Sequence, residues 1–191
     1  MSGKRGGISL DMTAMCDMAF LLLTFFILTA KMKTPEVVQV DVPSSVSKTK
    51  VPEQNLLKIT IAKDGVIFFS VSEAPTRKKL IDKIVEIKKL SLTETEKIAF
   101  ANTEMFGLPS SQLKGFFSLP SASREAYKQP GIPIDSTNNE LKMWVLEAKK
   151  INNKMIIAIK ADKEADYKQY AGVVSTLQTL HLNKFSLITS L

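Results

Sequence analysis

The sequence predicts an α+β protein: one N-terminal transmembrane helix, then a two-layer α+β domain in the order hairpin, helices, strand, helix, strand. Three observations predict it. The only strongly apolar stretch, residues 14–30, lies near the N-terminus. Asp64-Gly65 sits between two β-branched runs, 56–62 and 66–71, and Asp-Gly in that setting marks a hairpin. Near the C-terminus, a strand-like run at 155–160, a periodic stretch at 167–181 and a second apolar run at 185–189 read as strand, helix, strand.

The apolar stretch is preceded by Lys4 and Arg5, as in a signal peptide, yet no small-x-small cleavage site follows and Lys31-Met-Lys33 closes it. Counted from Met12 to Ala30 it has 19 residues, enough for about 30 Å of hydrocarbon at roughly 1.5 Å per residue. An uncleaved single-pass anchor is expected. The divisions are a tail at 1–11, a transmembrane helix at 12–30, a flexible linker at 31–53 and a domain at 54–191 with an elaboration at about 90–133. Basic residues flank the span on both sides, so charge alone leaves its orientation open.

In the linker, Pro35 and Pro43 bracket an alternating run with extended character, and small polar residues follow to Pro52. In the domain, Thr76 is expected to cap a helix over 77–89, with Leu80, Ile81, Ile84, Val85 and Ile87 on its apolar face. Thr93 and Glu96 form a capping box for a helix running through Phe106. Residues 109–134, rich in proline and serine, read as turns and short helices. Ser136 or Thr137 opens a helix to about Asn152 carrying Leu141, Trp144, Val145 and Ala148. Asp166 caps the next one, with Tyr170, Val173, Val174 and Leu177 as its buried side.

The chain carries 26 basic and 19 acidic residues, net +7, with no zinc finger or Arg-rich tract, so the excess charge reads as a lysine-rich surface and nucleic acid is not an expected partner. Cys16 is the only cysteine and His181 the only histidine, which rules out an intrachain disulfide and a cysteine- or histidine-built metal centre. Walker A, G-x-G-x-x-G, H-E-x-x-H and G-x-S-x-G patterns are absent, so no enzyme, bound cofactor or metal is expected. Asp162, Glu164 and Asp166 admit two readings, a cation site or helix-start charge.

Asp17 stands inside the apolar stretch. A carboxylate there costs roughly 2.5–3.5 kcal/mol even on lenient insertion scales, so it marks a protein-facing surface or an ion path. Helical spacing places Thr13 and Thr24 on the face of Asp17, a polar stripe on an apolar rod. One helix cannot enclose a wet path, so partner subunits are implied, and a homodimer is expected because a polar helix needs company. The alternative is that Asp17 caps the helix, which would leave 13 residues from Met18 to Ala30. As a proton acceptor, Asp17 would couple its charge state to helix packing; a proton, rather than a cofactor, is the expected coupling ion.

The run Leu10-Asp-Met-Thr-Ala-Met-Cys-Asp17-Met-Ala-Phe-Leu-Leu-Leu-Thr-Phe-Phe resembles the membrane helix of the ExbD/TolR family of biopolymer transport proteins. Asp41-Val-Pro43, Asp64-Gly65, residues 157–163, Tyr167, Val173-Val174 and residues 183–189 resemble the rest of that family's chain. The resemblance implies an inner-membrane protein with a cytoplasmic N-terminus and a periplasmic C-terminal domain. It implies an oligomer of an ExbB-, TolQ- or MotA-like multi-span partner, and use of the proton-motive force to energise a TonB-like or TolA-like transducer. Asp17 matches the family's proton-carrying aspartate, and Thr13 and Thr24 match polar positions near that path. The 37–43 segment matches a region that can pair with another strand. Ala14 departs from a frequent proline. The elaboration resembles the enlarged Bacteroidetes-type version and reads either as a partner contact or as extra packing. A membrane-anchored periplasmic scaffold or binding protein with no ion role is the alternative function.

Overall fold

The computed structural model describes residues 12–29, 54–135 and 137–188. The chain divides into two units, Met1–Pro35 and Glu36–Leu191. Within the first, α1 (Met12–Thr29) is an 18-residue apolar helix with no buried residue. The tail, the linker with its 37–43 run, and Ser136 and Thr189 lie outside the described residues.

The second unit is built on a five-stranded sheet. Strand β1 (Leu56–Ile61) and β2 (Ile67–Val71) form an antiparallel hairpin; β3 (Met105–Phe106) adds antiparallel to β2. On its other side β1 pairs in parallel with β4 (Ile156–Ala161), which pairs in parallel with β5 (Phe185–Ile188). The sheet order is therefore β3-β2-β1-β4-β5. The turn between β1 and β2 closes with Gly65 N–H donating to the Ala62 carbonyl at 2.9 Å. Gly65 takes a φ of +77°, which a residue with a Cβ adopts only with strain.

Alternation sends Leu57, Ile59 and Ile61 of β1, Ile67, Phe69 and Val71 of β2 and Ile157 and Ile159 of β4 into one core, all 2 % exposed or less. Helices α2 (Ala74–Lys88), α6 (Glu140–Ile151) and α7 (Tyr167–Thr179) supply Leu80, Ile81, Ile84, Leu141, Trp144, Val145, Val173 and Leu177 to it. Helix α2 contacts both α6 and α3 (Glu94–Asn102). This is the mixed α+β architecture the patterning predicts.

Parts of the segment at 90–133 pack into this core. Phe100 of α3, Phe106 of β3, Leu113, Phe116 and Phe117 around α4 (Leu113–Phe117), and Ile132 join the same cluster as the central strands, whereas the short helix α5 (Ser121–Glu125) has no buried residue. Trp144 is fully buried, stacked on Phe100 at 5.8 Å between centroids and edge-on to Phe106 at 4.8 Å.

Four local expectations change. Helix α2 starts at Ala74 after Glu73, because Pro75 in the first turn lacks only an N–H that would have no intrahelical partner; Thr76 lies inside the helix and its hydroxyl donates to Glu73 Oε2 at 3.0 Å. Ile87 of α2 is half exposed. Helix α3 keeps its Thr93–Glu96 capping box but ends at Asn102, since Met105 and Phe106 pair with Ser70 and Phe69 instead. Helix α6 starts at Glu140, capped by Asn139, whose Oδ1 accepts from Lys142 N–H at 2.9 Å.

Candidate functional site

Helix α1 carries the candidate site. Its 18 residues span about 27 Å at roughly 1.5 Å each. Its large apolar side chains are exposed all round, from Met12 at 67 % to Leu28 at 86 %. Water would not sustain such a surface; hydrocarbon or packed partner helices would. It is the one helix among the described residues long and apolar enough to cross a membrane.

Asp17 is the sixth residue of α1, beyond its first turn, which contains no acid. The helix therefore does not begin at Asp17, and the capping alternative loses its geometric basis: the carboxylate stands roughly 7.5 Å along the helix axis from Met12. Asp17 and Thr13 are exposed, and Thr24 is half-buried. At about 100° per residue the three fall within an arc of about 40°, spread over roughly 17 Å of helix. The Thr24 hydroxyl donates to the Leu21 carbonyl at 2.9 Å, and Thr29 does the same to Phe25 at 2.8 Å. Each hydroxyl proton is thus held by the helix itself, leaving Thr24 Oγ1 able to accept from a donor outside it. Beside the Asp17 carboxylate, this gives the stripe a proton-accepting group and a hydroxyl oxygen on one line.

A model of the family described as biopolymer transport protein ExbD/TolR matches residues 4–107. The chain belongs to the ExbD/TolR family. No curated protein and no solved structure matches it. The family match covers α1, the hairpin, α2, α3 and β3 and stops at Gly107, so the C-terminal stretches whose resemblance is noted above lie outside it. ExbD/TolR proteins serve in energising biopolymer transport, working with ExbB/TolQ-type and TonB/TolA-type partners. Family and helix together make this a single-pass membrane protein.

The acidic run after β4 is used structurally. Asp162 Oδ1 accepts from Glu164 N–H at 2.9 Å, and Asp166 Oδ1 accepts from Lys168 N–H at 3.0 Å to cap α7. Glu164 pairs with Lys63, and its hydrogen bond and charge hold the Lys63 ammonium above the usual lysine range. No group of three or more histidine, cysteine, aspartate or glutamate side chains suited to a metal occurs among the described residues. His181 sits just past α7 with a φ of +57°, its N–H donating to the Gln178 carbonyl at 2.9 Å, a helix-end role.

Proposed function

We propose that this ExbD/TolR-family chain is the proton-coupled energising subunit of an inner-membrane motor, with Asp17 as the group that takes up and releases the proton. The observation that carries the reading is a carboxylate in the interior of an otherwise apolar spanning helix, aligned with Thr13 and Thr24. An ExbB-, TolQ- or MotA-like multi-span oligomer would surround two copies of α1 and face that stripe. In hydrocarbon the neutral acid is favoured; beside water or a hydroxyl the carboxylate is. Protonation from one side and release to the other would alternate the helix between two packings against the partner, turning proton flow into movement. The domain, periplasmic in this reading, would pass that movement to a TonB-like or TolA-like transducer. The chain itself performs no enzymatic chemistry and needs no cofactor beyond the proton.

The test is proton-motive-force-dependent transport in cells carrying Asp17→Asn, with copurification of the multi-span partner as the assembly control. Asn preserves size and polarity but cannot cycle a proton. Transport should vanish while the complex still forms. Normal transport in that variant would leave the chain a membrane-anchored scaffold.

A further inference from the structure

A cleft of about 180 Å³ opens between the β1–β2 turn and residues 125–129 of the elaboration. Its apolar side is Ala62, Val66 and Phe68, a small cluster separate from the main core. Its other wall is fixed from behind. The Tyr127 ring packs edge-on against Phe116 at 5.4 Å, and Gln129, 6 % exposed, accepts the Gly107 N–H on Oε1 at 2.6 Å. Gly107 permits this closeness, since a Cβ there would lie 2.6 Å from Cδ1 of Phe68.

Three features of the lining point to a ligand. Gln129 lines the cleft, and its carboxamide nitrogen makes no hydrogen bond among the described residues. A buried amide clamped through its oxygen presents its nitrogen as a fixed donor. Asp64 and Glu125 line the same cleft, and neither carboxylate is in an ion pair among the described residues. Asp64 Oδ1 accepts only the long turn contact from Val66 N–H at 3.4 Å, leaving Oδ2 open. Lys128 also lines the cleft, so the lining charge is two carboxylates against one ammonium.

We propose that this cleft binds one lysine or arginine residue of an extended peptide segment belonging to a partner protein. The volume suits one long side chain. Its aliphatic stem would lie on Phe68 and Val66, its cationic head would meet Asp64 and Glu125, and its backbone carbonyl would accept from Gln129 Nε2. The site is independent of proton coupling at Asp17 and can fail or hold without it.

The experiment uses the full chain in detergent micelles, isotope-labelled, titrated with N-acetyl-alanyl-lysyl-alanine amide, its glutamyl counterpart, and free lysine. The lysyl peptide should shift the Gln129 side-chain amide and the Gly107 amide, with affinity about tenfold above the glutamyl peptide. The double variant Asp64→Asn, Glu125→Gln should remove that preference; Asn-Gly keeps the hairpin turn, so the fold survives. Equal shifts with both peptides, no shift at Gln129, or free lysine binding as tightly as the peptide would each overturn the proposal.

Discussion

Glu140, the first residue of α6, holds Ser110 with both carboxylate oxygens: Oε2 accepts the backbone N–H and Oε1 the hydroxyl, each at 2.6 Å. Both residues are buried, at 5 % exposure apiece. This one side chain bolts the elaboration to the helix that carries Trp144.

Removing that bolt should be costly. Glu140→Leu leaves a buried N–H and hydroxyl without their acceptor and is expected to destabilise the domain by about 3 kcal/mol. Glu140→Gln keeps one acceptor, and the serine hydroxyl can rotate to accept from the new amide, so about 1 kcal/mol is expected. Denaturant unfolding of the two variants, followed by Trp144 fluorescence, checks both the loss and its order. Lys88, 3.4 Å from Glu140 and a third exposed, adds little.

Arg77 makes a comparable joint elsewhere. Its Nε donates to the Ala101 carbonyl at 2.7 Å and its Nη1 to the Val71 and Ser72 carbonyls at 2.6 and 3.0 Å. The guanidinium thus ties the end of β2 to the end of α3. Burial holds it below the usual arginine range, while Glu104 pulls the other way. Arg77→Lys offers one point of donation where a fork served three carbonyls and should cost about 2 kcal/mol; Arg77→Met should cost more. Thermal melts of the paired variants decide it: equal stability of Arg77→Lys and wild type would show that charge, and not the fork, is what the joint needs.

Lys97 links α3 to α2, reaching Glu94 at 2.8 Å and Asp82 at 3.0 Å. Those two hydrogen bonds, Glu94 the larger, hold its ammonium above the usual lysine range. A raised folded-state value means the contribution is fully present below the unfolded lysine value and is lost as pH rises through the folded one. The difference in melting temperature between wild type and Lys97→Met should therefore be constant at neutral pH and shrink as pH rises past the ordinary lysine range. A difference that persists at alkaline pH would assign the effect to the aliphatic stem.

Short-range codes were readable in this chain. The Thr93–Glu96 box, the Asp64-Gly65 turn and the Asp166 cap each act within a few residues, and each forms in the structure. Periodicity found Leu141, Trp144, Val145 and Ala148, all fully buried. The polar stripe on α1 was legible for the same reason, since helical spacing alone aligns Thr13, Asp17 and Thr24. Strand β3 was not, because two residues carry no period and become a strand only when β2 offers its edge. Arg77 looks like a solvated charge on a helix; the three carbonyls it serves converge only in the folded domain. The cleft at Gln129 was hidden likewise, its walls lying far apart in sequence.

The middle strand has a consequence for the order in which the chain is made. β2 is available to β1 almost at once, but β4, the neighbour on the other side, arrives far later: the Asn152 side-chain amide meets the Asn55 side chain across 97 residues. During synthesis the nascent domain therefore waits with an empty slot at its centre, a long-range closure of the kind that slows folding and exposes strand edges to other chains. A chain halted before Ile156 would have the hairpin, α2, α3 and α6 but none of β4, α7 and β5, leaving the outer edge of β1 unpaired.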